Sequence, residues 1–243
     1  MEIIPDLSLC LAYSGNPQQL HGFLGALAAT ADPVSFQAIV VYRASTPPPA
    51  ELFRAFPAVL FFEERAEASP AAAMNQALRL ATGRYLSLWQ GSILLQPRAL
   101  YQLLVLLDDR PEIGLVAPRL TGMDGTTLAN AGPLPSLFCH HLANHQLPTE
   151  QATPLPAAWL SDRALLFRRE VLDDIGPLDS GFRTCYADAD FCRRAALAGW
   201  RLALYPAAVA IDSAPVSQPS CPTGDLARFL LRKWLGSRTA CRK

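Results

Sequence analysis

Charge is what this chain has least of. Only 17% of its 243 residues are Asp, Glu, Lys or Arg, against about 25% in an average domain. Acids and bases balance at 21 each. No net charge therefore draws the protein to a polyanion, which removes nucleic acid as a leading partner and leaves a membrane surface as at most a peripheral one. Long apolar runs are also missing. The most apolar stretch, Leu100 to Leu107, falls well short of the ~18 residues of a spanning helix. The opening Met1-Glu2-Ile3-Ile4-Pro5-Asp6 lacks the basic segment of an export signal. No C-x-x-C pair occurs among Cys10, Cys139, Cys185, Cys192, Cys221 and Cys241. That spacing reads as reduced thiols in a cytoplasm, not as a disulfide scaffold. What is present is a chain 51% hydrophobic, large enough to hide roughly 70% of its unfolded surface. A globular cytoplasmic protein is expected.

The first 120 residues alternate strand-like and helix-like segments. Leu7 to Ala12, Phe36 to Val41, Val59 to Phe62, Tyr85 to Trp89 and Leu115 to Ala117 are apolar runs of strand length. Gln18 to Ala29, Ala50 to Phe56, Pro70 to Leu80 and Pro97 to Leu107 have helical spacing between them, two of them opened by proline. This order predicts an α/β fold with a mostly parallel sheet flanked by helices. Further on, Trp159 to Phe167 reads as one strand and Arg168 to Asp174 as a helix. Asp188 to Gly199 follows as a second helix, then Leu202 to Tyr205 and Val209 to Ile211 as late strands. Residues 1–217 are expected to form one domain. Residues 218–243 add a proline-bearing linker and a basic helix carrying Arg228, Arg232, Lys233 and Arg238.

An open parallel sheet takes ligands outside the carboxyl ends of its strands. Four polar segments fall there: Ala12 to Asn16, Tyr42 to Thr46, Gln90-Gly91-Ser92, and Tyr186-Ala187-Asp188-Ala189-Asp190. Only the last offers carboxylates. Acids at i and i+2 cannot share a helix face, so Asp188 belongs at the helix start, where a plain capping role is also open to it.

The segment order resembles the family 2 glycosyltransferases of GT-A fold, especially the bacterial rhamnosyltransferase-like members. Ala73-Met74-Asn75 through Ala81-Thr82-Gly83-Arg84-Tyr85 carries the likeness, as does Leu94 to Leu100. So do Arg168-Arg169-Glu170 with Gly176 and Asp179, and Tyr186 through Gly199-Trp200. The match runs in order over roughly residues 7–235. It implies a nucleotide-diphosphate sugar as donor and a glycan or lipid-linked acceptor, with inversion at the anomeric carbon. It also implies a divalent metal, Mg²⁺ or Mn²⁺, against the diphosphate. By position Asp188 matches the base, Asp190 the residue that fixes the helix, and Asn75 one that shapes the turn near the nucleotide. Tyr13, Tyr42, Arg43, Gln90 and Ser92 fall at the donor, and Asp212 falls where relatives place a metal-binding His.

The chain departs from that pattern where the chemistry lies. Tyr42 replaces the acid after Val-Val, Gln90-Gly91-Ser92 replaces the Asp-x-Asp type motif, and Ala187 replaces the acid before the base. The first turn reads Leu11-Ala12-Tyr13-Ser14 instead of Pro-x-Tyr-Asn. Neutral oxygens are poor ligands for a hard dication. A metal-free donor site would instead use cations, with Arg43, Arg84 and Arg163 as candidates, while Tyr42 could stack on a base and Trp89 could plug the donor cleft. Two readings follow. One is a transferase with Asp188 as base; the other is an inactive relative that binds or scaffolds, for example beside an active glycosyltransferase. The Cys139-His140-His141 and His145 group lacks a second cluster to complete a zinc site and reads as a polar loop.

Overall fold

Leu7, Leu9 and Leu11 alternate with Ser8 and Cys10, and all are buried, because β1 (Leu7–Ala12) runs through the middle of a sheet covered on both faces. The computed structural model describes residues 5–13, 15–30, 34–43, 45–65, 68–90, 92–96, 98–136, 153–213 and 221–240. The Asn16 side chain accepts the Gln18 and Gln19 amides at 3.1 Å each and starts α1 (Pro17–Thr30). Then come β2 (Phe36–Arg43), α2 (Ala50–Ala55) and β3 (Leu60–Glu64). The Ser69 hydroxyl accepts the Ala72 amide at 3.3 Å and, with Pro70 at the first position, opens α3 (Pro70–Leu80). β4 (Tyr85–Gln90) closes this half, parallel to β1.

The second half begins with β5 (Ile93–Leu95) and α4 (Ala99–Asp109), followed by β6 (Ile113–Gly122). Short strands β7 (Thr127–Leu128), β8 (Ala131–Gly132), β9 (Leu155–Pro156) and β10 (Trp159–Leu160) lead to β11 (Ala164–Arg168). Helices α5 (Arg169–Ile175) and α6 (Ala187–Leu197), strand β12 (Arg201–Asp212) and helix α7 (Thr223–Ala240) complete the order. The main sheet runs β3-β2-β1-β4-β11-β6-β12-β5, with β7 beside β6 and β9 beside β12.

The mostly parallel sheet is as expected, with instructive exceptions. β11 enters antiparallel between β4 and β6, and β5 lies antiparallel on β12. The run Trp159 to Phe167 is two strands, not one, because the polar Ser161-Asp162-Arg163 turn divides it. The two late strands are one, β12, whose register on β6 shifts between Tyr205 and Val209. Period-2 alternation sorts the core: Leu9, Leu11 and Trp89 face α1 and α4, while Cys10, Leu86 and Leu88 face α3, α5 and α6.

The thiol reading needs correction. Cys185 and Cys221 form a disulfide across 36 residues, because α7 folds back over the loop before α6. Cysteine spacing therefore no longer supports a cytoplasmic location, since disulfides are rare there. Cys10 and Cys192 are buried thiols, and burial pushes Cys10 up to about 12, so both are unreactive. Among the described residues no helix is long and apolar enough to cross a membrane.

Candidate functional site

At the carboxyl end of β4 the chain meets the Ser161–Arg163 turn. The Gln90 amide donates to the Arg163 carbonyl at 3.1 Å, and the Arg163 amide donates to the Ser161 hydroxyl at 3.3 Å. Arg163 places its guanidinium on the Asp212 carboxylate at the end of β12. One residue on, the Ser213 amide and hydroxyl donate to the Ser92 carbonyl at 2.9 and 2.8 Å. Gln90 at the end of β4, Ser92 just before β5, Arg163 just before β11 and Asp212 at the end of β12 are thus linked by backbone contacts and one ion pair.

Asp188 reaches the same corner from the first turn of α6. Its Oδ2 accepts the Trp159 indole N–H at 2.9 Å, and its Oδ1 accepts the Ala189 amide at 2.8 Å. The Asp162 backbone also hydrogen-bonds this carboxylate. Burial raises the Asp188 pKa, with these hydrogen bonds opposing. Burial, and then the charge of Asp188, pushes the Asp162 carboxyl up to about 7, although Arg163 pulls the other way. The two carboxyls therefore titrate as a pair.

The segment that presents Asp188 is braced from behind. Asp225, in the first turn of α7, accepts the amides of Arg183 (3.0 Å), Thr184 (2.9 Å) and Cys185 (3.1 Å). Burial works against its charge, yet these amides hold its pKa below the usual carboxylate range. The Cys185–Cys221 disulfide ties the same segment covalently. Next in line, Tyr186 takes a left-handed φ of 70°, a conformation bulky residues adopt only when held. Its ring stacks on Phe229 of α7 at 5.9 Å.

The other expected residues divide. Tyr13 and Tyr42 lie at the ends of β1 and β2, with the Tyr13 amide on the Val41 carbonyl at 2.8 Å. Tyr13 is buried in the core. Tyr42 is half-buried, donates to Glu63 at 3.4 Å and packs edge-on against Phe53. Arg43 is exposed opposite Glu64. Asn75 is elsewhere: its amide donates to the Leu178 carbonyl at 2.8 Å and accepts the Leu178 amide at 2.9 Å, bracing α3 against the loop before α6. Asp190 is fully buried and pairs with Arg193 and Arg194 at 3.1 and 2.8 Å. Trp89 is a core residue against Phe23 and plugs no cleft. Arg84 pairs with Asp108 at 2.9 Å at the far, amino end of β4. Ser14, Gly91, Cys139 to His145 and the 214–220 stretch lie outside the described residues. Sequence reasoning missed Asp162, Trp159 and Asp225. The polar triplet inside an apolar run was the available signal for the first.

A mostly parallel sheet with carboxylates at its carboxyl edge and a helix-borne acid defines a GT-A type architecture, and solved structures agree. The Staphylococcus aureus TarS fragment 1–349 is similar at 14% identity with a TM-score of 0.66, over 86% of this chain and 60% of that one. GalNAc-T7, solved with UDP, GalNAc and Mn²⁺, is similar at 12% identity with a TM-score of 0.72, over 95% of this chain and 48% of that one. TarS 1–349 in complex with UDP-GlcNAc gives 13% identity and a TM-score of 0.62, over 88% and 60%. The chain thus spans about half to three-fifths of these proteins. No curated protein matches the sequence. The family model "Glycosyltransferase like family 2" matches residues 14–228. The chain belongs to that family.

The Mn²⁺ of GalNAc-T7 poses a question of fit. Among the described residues no three His, Cys, Asp or Glu side chains group closely enough to hold a metal. Gln90 and Ser92 are neutral, and Asp212 is engaged by Arg163. This donor set does not fit a hard dication.

Proposed function

We propose that the protein transfers a sugar, with inversion, from a nucleotide-diphosphate sugar to a hydroxyl of a glycan or lipid-linked acceptor. The observation that carries this is Asp188, a half-buried carboxylate with both oxygens oriented and its basicity raised by burial. Those are the properties of a general base. The acceptor hydroxyl gives its proton to Asp188 as its oxygen bonds the anomeric carbon. On the opposite face the bond from that carbon to the diphosphate oxygen breaks, and the electron pair leaves with the diphosphate. Tyr13, Tyr42, Arg43, Gln90 and Ser92 make up the donor side of this reading, and Asp190 holds α6. Asn75 contributes by fixing the Leu178 loop. The neutral Gln90 and Ser92 favour a second reading, a non-catalytic partner of an active glycosyltransferase.

A single assay separates the two. The full chain is incubated with UDP-GlcNAc, UDP-GalNAc and other nucleotide sugars, with and without Mn²⁺, and nucleotide release is measured. Turnover that falls by about 10³ in Asp188→Asn supports the transferase. Thermal stabilisation by a donor, near 2.7 kcal/mol at about 100 times its Kd, without turnover supports the binding partner.

A further inference from the structure

The carboxyl ends of β4 and β12 are bridged by a cation that belongs to the chain itself. We propose that Arg163 is the diphosphate-binding cation of this protein, anchored by Asp212 and serving the donor without a metal ion; this rests on the transferase reading above. Asp212 is the inner member of the pair, its side chain 1% exposed, while Arg163 is 29% exposed and so faces outward. A guanidinium has five N–H donors in a fixed fork. Its contact with Asp212 leaves donors that match two phosphate oxygens.

The neighbours explain why the fork stays available. Gln90 and Ser92 add no negative charge beside it. Asp162, next along the turn, and Asp188 are acids near this corner, and burial raises the Asp162 pKa to about 7, which reduces the negative charge an incoming anion meets there. Burial lowers the Arg163 pKa, but an arginine remains charged throughout the useful range. Neither rival cation shares the corner: Arg84 is committed to Asp108 at the other end of β4, and Arg43 lies out on β2. In the transfer step Arg163 holds the oxygen that takes the electron pair from the broken anomeric bond.

The test is calorimetric binding of inorganic pyrophosphate and of UDP to the full chain, in EDTA and in Mn²⁺. It compares the unaltered protein with Arg163→Ala, Arg163→Lys and the control Arg84→Ala. We expect binding in EDTA that Mn²⁺ does not improve. Arg163→Ala should weaken it at least about 10-fold, the loss of a charge-assisted hydrogen bond, and Arg163→Lys should fall between. Arg84→Ala should bind as the unaltered protein does. Arg163→Lys keeps the charge opposite Asp212 and carries the test if the alanine variant does not fold. UDP binding that appears only with Mn²⁺, or that survives both Arg163 substitutions, overturns the proposal and leaves the transferase reading standing. Absence of all diphosphate binding overturns both.

Discussion

The indole N–H of Trp159 and the Oδ2 of Asp188 stand 2.9 Å apart, joining a two-residue strand to the first turn of α6. Trp159 is 2% exposed, so its hydrogen bond is shielded from competing water. Trp159→Phe keeps most of the packing and removes only the donor. We expect kcat to fall about 10–100-fold with KM for the donor nearly unchanged. Because the lost bond lowered the Asp188 pKa, the acidic limb of the pH–rate profile should move to higher pH. An unshifted limb would rule out the role given to Trp159.

Asp162 makes folding depend on pH. Its folded pKa of about 7 lies above the ordinary 3.8, so the folded state holds the proton more tightly than the unfolded chain does. Stability from this group is full below pH 4 and is lost as pH rises towards 7. Asp162→Asn should therefore be more stable than the unaltered protein at pH 8, by on the order of 2 kcal/mol or about 4–8 °C in Tm. The gap should close at pH 4–5, as read by thermal melts across that range.

Asp225 serves three amides of the segment leading to Asp188. Asp225→Ala leaves these donors without their charged acceptor and should cost about 2–4 kcal/mol. Activity per folded molecule should drop as well, since Tyr186 loses the frame that holds its left-handed backbone. Urea melts paired with nucleotide-release rates measure both. A stability loss with normal kcat would limit Asp225 to folding alone.

Reducing the Cys185–Cys221 bond, or replacing Cys221 with serine, opens a loop of 36 residues. Loop-closure entropy puts the loss at about 4 kcal/mol. A melt in dithiothreitol should show it, and the Cys221→Ser variant should show no further loss in dithiothreitol.

Gly83 turns the chain from α3 into β4 where it touches β1. A Cβ there would stand 2.6 Å from the Ser8 backbone nitrogen and 2.7 Å from the Leu7 carbonyl carbon. Gly83→Ala must push two central strands apart, and about 1–3 kcal/mol of overpacking is expected. Gly25→Ala, with open space at its Cβ, is the matched control and should cost almost nothing.

The layout of β1 to β4 and of β6 was readable because parallel strands buried on both faces appear as short continuous apolar runs, broken by helices of clear period, whereas the three-residue β5, antiparallel on β12, was not. The antiparallel entry of β11 was not, since strand direction depends on which partner closes the sheet, and Ala164 to Arg168 carries no mark of it. Asp188 was singled out as a candidate by its motif. Its partners were not: Trp159, Asp162 and Asp225 come from three separate segments, and no local spacing relates them. Cys185 and Cys221 were misread for the same reason, as a pairing across 36 residues depends on where α7 docks. Asn75, expected near the nucleotide, instead hydrogen-bonds Leu178, outside the donor corner.

The brace on Asp188 also sets an order of assembly. A ribosome releases Asp188 and its direct partners Trp159 and Ala189 well before Cys221, Asp225 and Phe229, so the nascent chain has its acid before it has the brace behind that segment. Until α7 emerges, the segment before Asp188 lacks the Asp225 carboxylate and the Phe229 ring that support it. The brace is therefore completed late in synthesis, and a chain shortened before residue 221 would keep the Trp159 contact to Asp188 while losing the support behind it.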